Sequence, residues 1–164
     1  MASAVAIPVL GEKFVTLGVG RETFAVDVEA VREILDPRPM AALPHAPLFL
    51  SGIIEVRGRV VPVIDLPKKL GFASPVLDEH SRIVVVEVRL PERELIVGLL
   101  ADRVFEVTAL DDQTAELPPD IGVRWRSEYI RAIGRRQGKF VIVFDLVHLF
   151  SSDETALLAV GENA

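Results

Sequence analysis

Apolar residues along this chain come in short runs that are broken every few positions by Gly, Pro or charged residues. Several runs alternate with polar residues, a period of two that is typical of strands with one face in a core. The run Val84, Val85 and Val86 has no such alternation, so both faces of that strand are predicted to be covered. About ten short strands with frequent turn signals predict a mainly β protein made of closed or nearly closed small barrels.

The clearest local pattern is a hairpin within residues 49–72. Two apolar runs, 52–56 and 60–64, flank Arg57-Gly58-Arg59, and Gly readily adopts the positive φ that a tight hairpin turn needs. The second run ends at Asp65, whose carboxylate is suited to capping a short helical turn. The pattern predicts two paired strands with a charged tip, followed by one turn of helix.

The hairpin pattern occurs a second time, 80 positions further along the chain. The first apolar residue, the turn Gly and the terminal Asp recur as the pairs Phe49 and Tyr129, Gly58 and Gly138, and Asp65 and Asp145. Upstream, the FAVDV run from Phe24 resembles the LIVGL run from Leu95 more loosely. Two copies of one small β unit explain the pattern, and chance similarity between β-rich segments is the alternative.

A short helical turn is predicted to begin after Asp27, which is a suitable N-cap. At helical spacing, Val28, Val31 and either Ile34 or Leu35 fall on one face of that turn. The bordering polar residues are then expected to face solvent.

Composition narrows the class of protein. The chain has 164 residues, 50% of them hydrophobic, which is enough for one domain or two closely packed subdomains. A net charge of −6 and a pI near 5.1 disfavour a general nucleic-acid binder and attraction to an anionic membrane. The apolar run 95–101 is too short to span a bilayer as a helix. Together with the absence of Cys, these features favour a cytoplasmic protein without direct membrane insertion.

Motifs for catalysis or for cofactor and metal binding are missing from the sequence. There is no P-loop, no HExxH motif and no GxSxG elbow. The three histidines are scattered, and the adjacent Asp111 and Asp112 are expected to point apart rather than share a cation. We therefore predict no enzyme activity, no cofactor and no metal; an enzyme or small-molecule binder of unrecognised type is the remote alternative.

One basic and aromatic cluster contrasts with the acidic background. Its members are Arg124, Trp125, Arg126, Tyr129, Arg131, Arg135, Arg136 and Lys139. Basic groups interleaved with aromatics on a small barrel are typical of single-stranded nucleic-acid binders. The alternative is a solvated hairpin with Trp125 and Tyr129 as core anchors, or a protein-contact patch, since Arg is frequent at interfaces. The net charge favours the alternative.

Four segments make the chain recognisable. They are VDVEAVREIL at 26–35, LPHAPLFLSGIIEVRGRVVPVIDL at 43–66, VGLLADRVFEV at 97–107 and LFSSDETALL at 149–158. They resemble CheW, the adaptor of bacterial chemosensory arrays, and the related regulatory domain of the histidine kinase CheA. The resemblance covers roughly residues 13–158, and the RGRVVPVIDL segment is specific to the family.

The resemblance implies a fold of two SH3-like five-stranded β-barrel subdomains packed side by side, with short helical turns and a C-terminal helix. It implies a leader at 1–12, one domain with an internal repeat at 13–158, whose halves meet near 73–81, and a tail at 159–164. Between the barrels it implies an apolar groove suited to the helical hairpin of a receptor tip.

The function implied by the resemblance is that of a non-catalytic scaffold. Such adaptors couple the cytoplasmic tips of methyl-accepting chemoreceptors to CheA, and they join the membrane array through these partners. By the family pattern, the partner-binding residues are Val31, Glu33, Gly52, Arg57 and Gly58. Arg57 and Glu33 are expected to approach one another and hold the hairpin tip against the helical turn.

Two departures from the family pattern affect the choice of partner. Glu55 stands where relatives usually carry Asn, and Pro67 stands where they usually carry a basic residue. Both lie beside the expected contact surface. The alternative to flagellar chemotaxis is therefore a related adaptor of a pathway that controls pili, surface behaviour or a second messenger.

Overall fold

The computed structural model describes residues 6–73, 76–119 and 127–150. In chain order the strands are β1 Ala6–Pro8, β2 Phe14–Val19, β3 Glu22–Asp27, β4 Val31–Leu35, β5 Leu50–Val56, β6 Arg59–Asp65, β7 Arg82–Leu90, β8 Arg93–Ala101, β9 Arg103–Thr108, β10 Thr114–Glu116, β11 Ile130–Arg136 and β12 Lys139–Phe144. The helices are α1 Leu66–Lys69 and α2 Leu146–Leu149, with 3₁₀ turns at Val28–Ala30 and Ser127–Tyr129. Neither helix has the length or apolar character needed to cross a membrane.

The strands form two mixed sheets. The first barrel has the order β4-β7-β8-β6-β5, and the second has the order β9-β2-β3-β12-β11-β10-β1. The three-residue strands β1 and β10 extend the second barrel beyond the five strands expected. The predicted mainly β fold with two barrel subdomains and short helical turns is confirmed, whereas the predicted C-terminal helix lies outside the described residues.

The two barrels repeat the same ladder. The order β4-β7-β8-β6-β5 in the first barrel corresponds strand by strand to β9-β2-β3-β12-β11 in the second. In both orders the third and fourth strands pair in parallel, β8 with β6 and β3 with β12, and the other neighbours pair antiparallel. The hairpin β2–β3 therefore belongs with β11–β12 near the end of the chain, not with the β5–β6 hairpin that follows it. The boundaries 1–12, 13–158 and 159–164 stay a prediction.

The geometry of the repeated hairpins agrees closely at the offset of 80 residues. The Asp65 N–H donates to the Phe49 carbonyl at 2.7 Å, and the Asp145 N–H donates to the Tyr129 carbonyl at 2.8 Å. Each aspartate then accepts a hydrogen bond from the backbone N–H three residues later, at 3.1 Å in both cases. Both caps form as the local sequence pattern predicts.

Among the described residues, three apolar clusters hold the structure together, one inside each barrel and one between them. The inter-barrel cluster includes Val15, Leu17 and Val26 from the second barrel and Val84, Val97 and Leu99 from the first. Because side chains alternate along a strand, β7 sends Ile83 and Val85 into the first barrel and its other valines into the inter-barrel cluster. This confirms that both faces of β7 are covered.

The helical turn after Asp27 is shorter than predicted. Asp27 caps it by accepting the Glu29 N–H at 3.0 Å, but the turn ends at Ala30 and residues 31–35 form β4. β4 pairs with β7, and its β-branched residues suit a strand. The expectation that Val31 and Ile34 share a helical face is wrong, because non-local pairing with β7 outweighs the local helical spacing.

Candidate partner-binding site

The tip of the β5–β6 hairpin is a two-residue turn. Arg57 and Gly58 both have positive φ, 50° and 78°, as a type I′ turn requires. Nothing lies within 4 Å of the place where a Cβ on Gly58 would stand, so its backbone conformation, not crowding, favours Gly there. The turn presents the Arg57 side chain, which is 81% exposed, at the end of the first barrel.

Glu33 and Arg57 meet as the sequence predicts. Arg57 donates from Nε to Glu33 Oε2 at 3.1 Å and from Nη2 to Glu33 Oε1 at 3.3 Å. β4 and β5 are the two outer strands of the first barrel, so the pair links the two edges of that sheet. An exposed ion pair of this kind contributes about 0–1 kcal/mol to stability. The pair is therefore of interest for where it places the two charged side chains, not for its contribution to stability.

Val31 and Glu33 lie on opposite faces of β4. The register shifts between them, so that Val31 stands opposite Val86 and Glu33 stands opposite Val85. Val31 packs against the inter-barrel cluster, while Glu33 turns toward the end of the first barrel. In a regular strand, residues two positions apart share a face. The β-bulge between Val31 and Glu33 instead places them on opposite faces.

Gly52 is buried beneath the loop that leads into β5, away from the hairpin tip. A Cβ at this position would stand 2.6 Å from the Ala41 carbonyl oxygen, and its φ of 153° is one that side-chain-bearing residues rarely adopt. Ala41 and Ile53 exchange backbone hydrogen bonds of 2.8 and 3.0 Å across this point. Gly52 thus allows the loop to close over β5, and Glu33, Arg57 and Gly58 are the three predicted residues that share the tip.

A pocket of about 420 Å³ opens beside the Glu33–Arg57 pair, and we call it the mouth pocket. Its floor is apolar and consists of Val56, Val61, Val85 and Ile96, and its rim is formed by Arg32, Glu33, Arg57 and Arg59. Sequence reasoning did not single out Arg32 or Arg59. Strand alternation along β6 was the available signal, since it places Arg59 on the same face as Val61.

Arg32 is engaged on the rim. Its Nη2 lies 2.6 Å from Glu87 Oε2 on β7. This hydrogen bond from Arg32, followed by one from Glu94, holds the pKa of the Glu87 carboxyl below its usual range. Two of the three rim cations, Arg32 and Arg57, therefore already have an anionic partner.

The groove between the barrels is charged as well as apolar. It encloses about 560 Å³, and its apolar lining includes Val88, Phe144 and Val147. Its charged lining consists of Glu12, Asp27, Glu29, Glu87, Arg89, Arg131 and Asp145. Arg131 donates to Glu12 at 3.0 Å, a bond that raises the pKa of the guanidinium. The groove thus combines apolar surface with charged residues, among which five carboxylates face two arginines. Its use by a receptor tip stays a prediction.

The basic cluster near the second hairpin is largely committed to internal contacts. Arg136 Nη2 donates to Glu106 at 3.1 Å, and the Arg135 guanidinium lies 5.1 Å from the centre of the Phe140 ring. Tyr129 is buried with 6% exposure, as expected for a core anchor. Arg124, Trp125 and Arg126 lie outside the described residues. These contacts favour the structural interpretation over a nucleic-acid surface.

The Asp111 side chain binds backbone groups of the neighbouring hairpin. Its carboxylate accepts the backbone N–H groups of Gln137 and Gly138 at 2.9 and 3.0 Å, which holds the tip of the β11–β12 hairpin. These bonds, that of Gly138 first, lower the pKa of Asp111. Among residues 6–73, 76–119 and 127–150, no group of three or more His, Cys, Asp or Glu side chains is arranged to hold a metal ion.

The CheW-like domain family matches this chain over residues 13–154. The chemotaxis protein CheW of Rhizobium meliloti strain 1021 is 30% identical over 144 residues, which cover 88% of this chain and 90% of that protein. Protein PilI of Pseudomonas aeruginosa is 30% identical over 103 residues, 62% of this chain and 56% of that protein. The crystal structure of the scaffolding protein TtCheW from Thermoanaerobacter tengcongensis superposes with a TM-score of 0.75 at 29% identity, covering 90% of this chain and 96% of that one.

Sequence and fold therefore agree along nearly the whole described chain. The matches confirm the prediction of a chemotaxis adaptor of the scaffolding type. The chain belongs to the CheW-like domain family.

Proposed function

We propose that this protein couples the cytoplasmic tips of methyl-accepting chemoreceptors to the histidine kinase CheA, binding both without catalysing a reaction. It works in the cytoplasm and reaches the membrane array only through these partners. The observation that carries the proposal is the Glu33–Arg57 pair, which presents a charged tip beside the mouth pocket. Weak contacts of this kind gain strength when many are linked in one array.

The proposed partner surface is built from the tip outward. Glu33 and Arg57 contact the partner directly, with Gly58 setting the turn that presents Arg57. Val31 contributes from the side that faces the inter-barrel cluster, and Gly52 acts indirectly by letting the preceding loop close. Nucleic acid is not a partner, in keeping with the net charge of −6.

Co-sedimentation with receptor signalling fragments and CheA tests this proposal. Wild type is expected to bring kinase to receptor and to raise kinase autophosphorylation, whereas Glu33→Ala is expected to lose most of this coupling. Glu106→Ala is the matched control, because it breaks the Arg136–Glu106 pair of the second barrel. Equal loss in both variants would assign the effect to general destabilisation. Full activity of Glu33→Ala would remove the tip from the partner surface.

The second candidate is an adaptor of a non-flagellar chemosensory pathway. It is favoured by the relative PilI, which carries a name other than CheW, and by Glu55, which lies on β5 two residues before Arg57. Pro67 is buried in α1, after the end of β6 that lies opposite the hairpin tip, so the expectation that it lies beside this surface is wrong. Parallel binding assays with receptor fragments and kinases from flagellar and non-flagellar pathways separate the two. Tight, productive coupling to the non-flagellar set alone would select this candidate.

A further inference from the structure

The groove between the barrels takes its walls from both of them. Residues 87–89 of β7 line it from the first barrel, and residues 143–147, which run from β12 into α2, line it from the second. In the described part of the chain the two sheets share no strand, so backbone pairing does not join these walls. The width of the groove therefore depends on the contacts that hold α2 against the first barrel.

The ammonium group of Lys69 lies among three aromatic rings at the junction of the barrels. Its Nζ atom is 4.2 Å from the centre of the Phe49 ring. It is 5.5 Å from the centre of the Tyr129 ring and 5.9 Å from that of Phe150. All three distances lie within the range of about 6 Å over which a cation is attracted to a ring face. Phe49 precedes β5 of the first barrel, whereas the other two rings flank the β11–β12 hairpin of the second.

The three rings are held in place by burial. Phe49, Tyr129 and Phe150 are 8%, 6% and 1% exposed, and all of them belong to the inter-barrel cluster. Lys69 is half-buried, so its apolar stem covers part of this surface while its charged end rests on the rings. Water competes less for a cation in such a place, which strengthens the attraction to the rings.

Both rings of the second barrel are bonded through the backbone to residues that line the groove. The Tyr129 carbonyl accepts the Asp145 N–H at 2.8 Å. The Phe150 N–H donates to the carbonyls of Leu146 and Val147 at 3.2 and 3.3 Å. The three bonded partners all line the groove. A displacement of either ring would therefore move this wall.

On the side of the first barrel, Lys69 is anchored to the Phe49 backbone. The Asp65 N–H donates to the Phe49 carbonyl at 2.7 Å, and the Asp65 carboxylate accepts the Lys68 N–H at 3.1 Å. In the repeat, Lys69 corresponds to Leu149, which is fully buried in the inter-barrel cluster. The cation is thus a feature of α1 alone, and the internal repeat does not account for it.

We propose that Lys69 is a positioning residue, whose ammonium group fixes α2 of the second barrel against the first barrel and thereby sets the width of the groove between them. The attraction acts between a charge and ring faces. A neutral side chain of similar length would fill the space without holding the rings in one arrangement. Only the use of the groove by a partner rests on the proposed function; the positioning role does not.

A thermal-unfolding cycle isolates the contact between the charge and the Phe49 ring. Phe49 is replaced by trifluorophenylalanine, which nearly keeps the shape of the ring while removing much of the negative potential on its face. We expect this change to lower the unfolding midpoint by about 2–4 °C, the scale of one such contact in a chain of this size. In the Lys69→Met background the same ring replacement is expected to shift the midpoint far less, because no cation remains to be attracted.

Lys68→Met is the matched control, since Lys68 is the neighbouring residue of α1 and is exposed. In this background the ring replacement is expected to lower the midpoint as it does in wild type. Equal shifts in wild type and Lys69→Met would overturn the proposal, because the ring would then respond to something other than the Lys69 charge.

Distances between spin labels on the two barrels measure how firmly α2 is held. The chain has no Cys, so labels can be attached to one introduced pair. Glu92→Cys between β7 and β8 and Asp112→Cys after β9 provide exposed positions, one on each barrel. We expect one narrow distance distribution in wild type and in Lys69→Arg, whose guanidinium also binds ring faces. A broader or displaced distribution is expected in Lys69→Met, and an unchanged one would overturn the positioning role.

Co-sedimentation with receptor fragments and CheA separates this inference from the proposed function. Lys69→Met is expected to couple kinase to receptor less than wild type does, and Lys69→Arg is expected to restore coupling. Normal coupling by Lys69→Met despite a displaced wall would overturn the link between groove width and coupling. If wild type binds neither partner while the cycle and the distances behave as expected, the adaptor function is overturned and the positioning role of Lys69 stands.

Discussion

Arg57, in the turn that follows outer strand β5, makes one bidentate contact with Glu33 of the other outer strand, β4, with Arg57 Nε and Nη2 at 3.1 and 3.3 Å from the two carboxylate oxygens. In the second barrel, Arg136 of β11 reaches Glu106 of the outer strand β9 at 3.1 Å. The internal repeat therefore preserves an arginine-to-edge-strand link even though the arginine is displaced by one position. The exposed version of this link belongs to the proposed partner surface.

Arg57→Ala is expected to separate binding from stability. The side chain is 81% exposed, so its loss should lower the free energy of unfolding by about 1 kcal/mol or less. Receptor–kinase coupling should fall far more, because the proposed partner surface loses its positioned guanidinium. Denaturant unfolding and the co-sedimentation assay measure the two effects. Arg57→Lys keeps the charge but not the two-pronged contact, and intermediate coupling by this variant is expected.

Gly52→Ala is expected to destabilise the protein more than Gly58→Ala. At Gly52 the new Cβ meets a backbone carbonyl at 2.6 Å, which no side-chain rotation relieves. At Gly58 the space is open, and only the left-handed backbone opposes the change, at about 1–2 kcal/mol. Urea titrations of both variants provide the comparison. Equal stability of the two would mean that the loop around Ala41 shifts freely.

Asp111 is expected to make stability sensitive to acid. Its pKa is lowered in the folded state by the Gly138 and Gln137 N–H groups, so its contribution is present above the unfolded value near 3.8. That contribution is lost as pH falls through the lower folded pKa. In Asp111→Asn, the unfolding midpoint should vary less steeply with pH in this acidic window. Wild type and variant with identical pH profiles would contradict the assignment.

Leu99→Ala is expected to weaken both barrels together. Leu99 is fully buried in the inter-barrel cluster, and truncating such a residue costs about 2–5 kcal/mol. Val60→Ala is the control, since Val60 is 58% exposed and its loss should change stability little. Because strands of both barrels share the cluster, one cooperative transition is expected in each protein. Two separate transitions in wild type would show that the barrels are stabilised independently.

Local patterns in the sequence were sufficient to predict much of this structure. Glycine at the hairpin turns and aspartate at the helix caps act on the backbone next to them. The unbroken valine run of β7 shows in the sequence itself that both faces of that strand are buried. The internal repeat shows the same turn and cap pattern in both halves of the chain. The family pattern added the pairing of Glu33 with Arg57, which spans 24 residues of sequence.

Tertiary structure alone decided how these pieces combine. Pairing with β7 turned residues 31–35 into a strand, and the bulge there sent Val31 and Glu33 to opposite faces. Pairing of β3 with β12 placed an N-terminal hairpin in the second barrel. Sequence by itself determined most of the strands, the hairpin turns and the caps, because these depend on near neighbours. The strand at 31–35 and the proposed partner surface depend on contacts between distant segments, which only the folded chain creates.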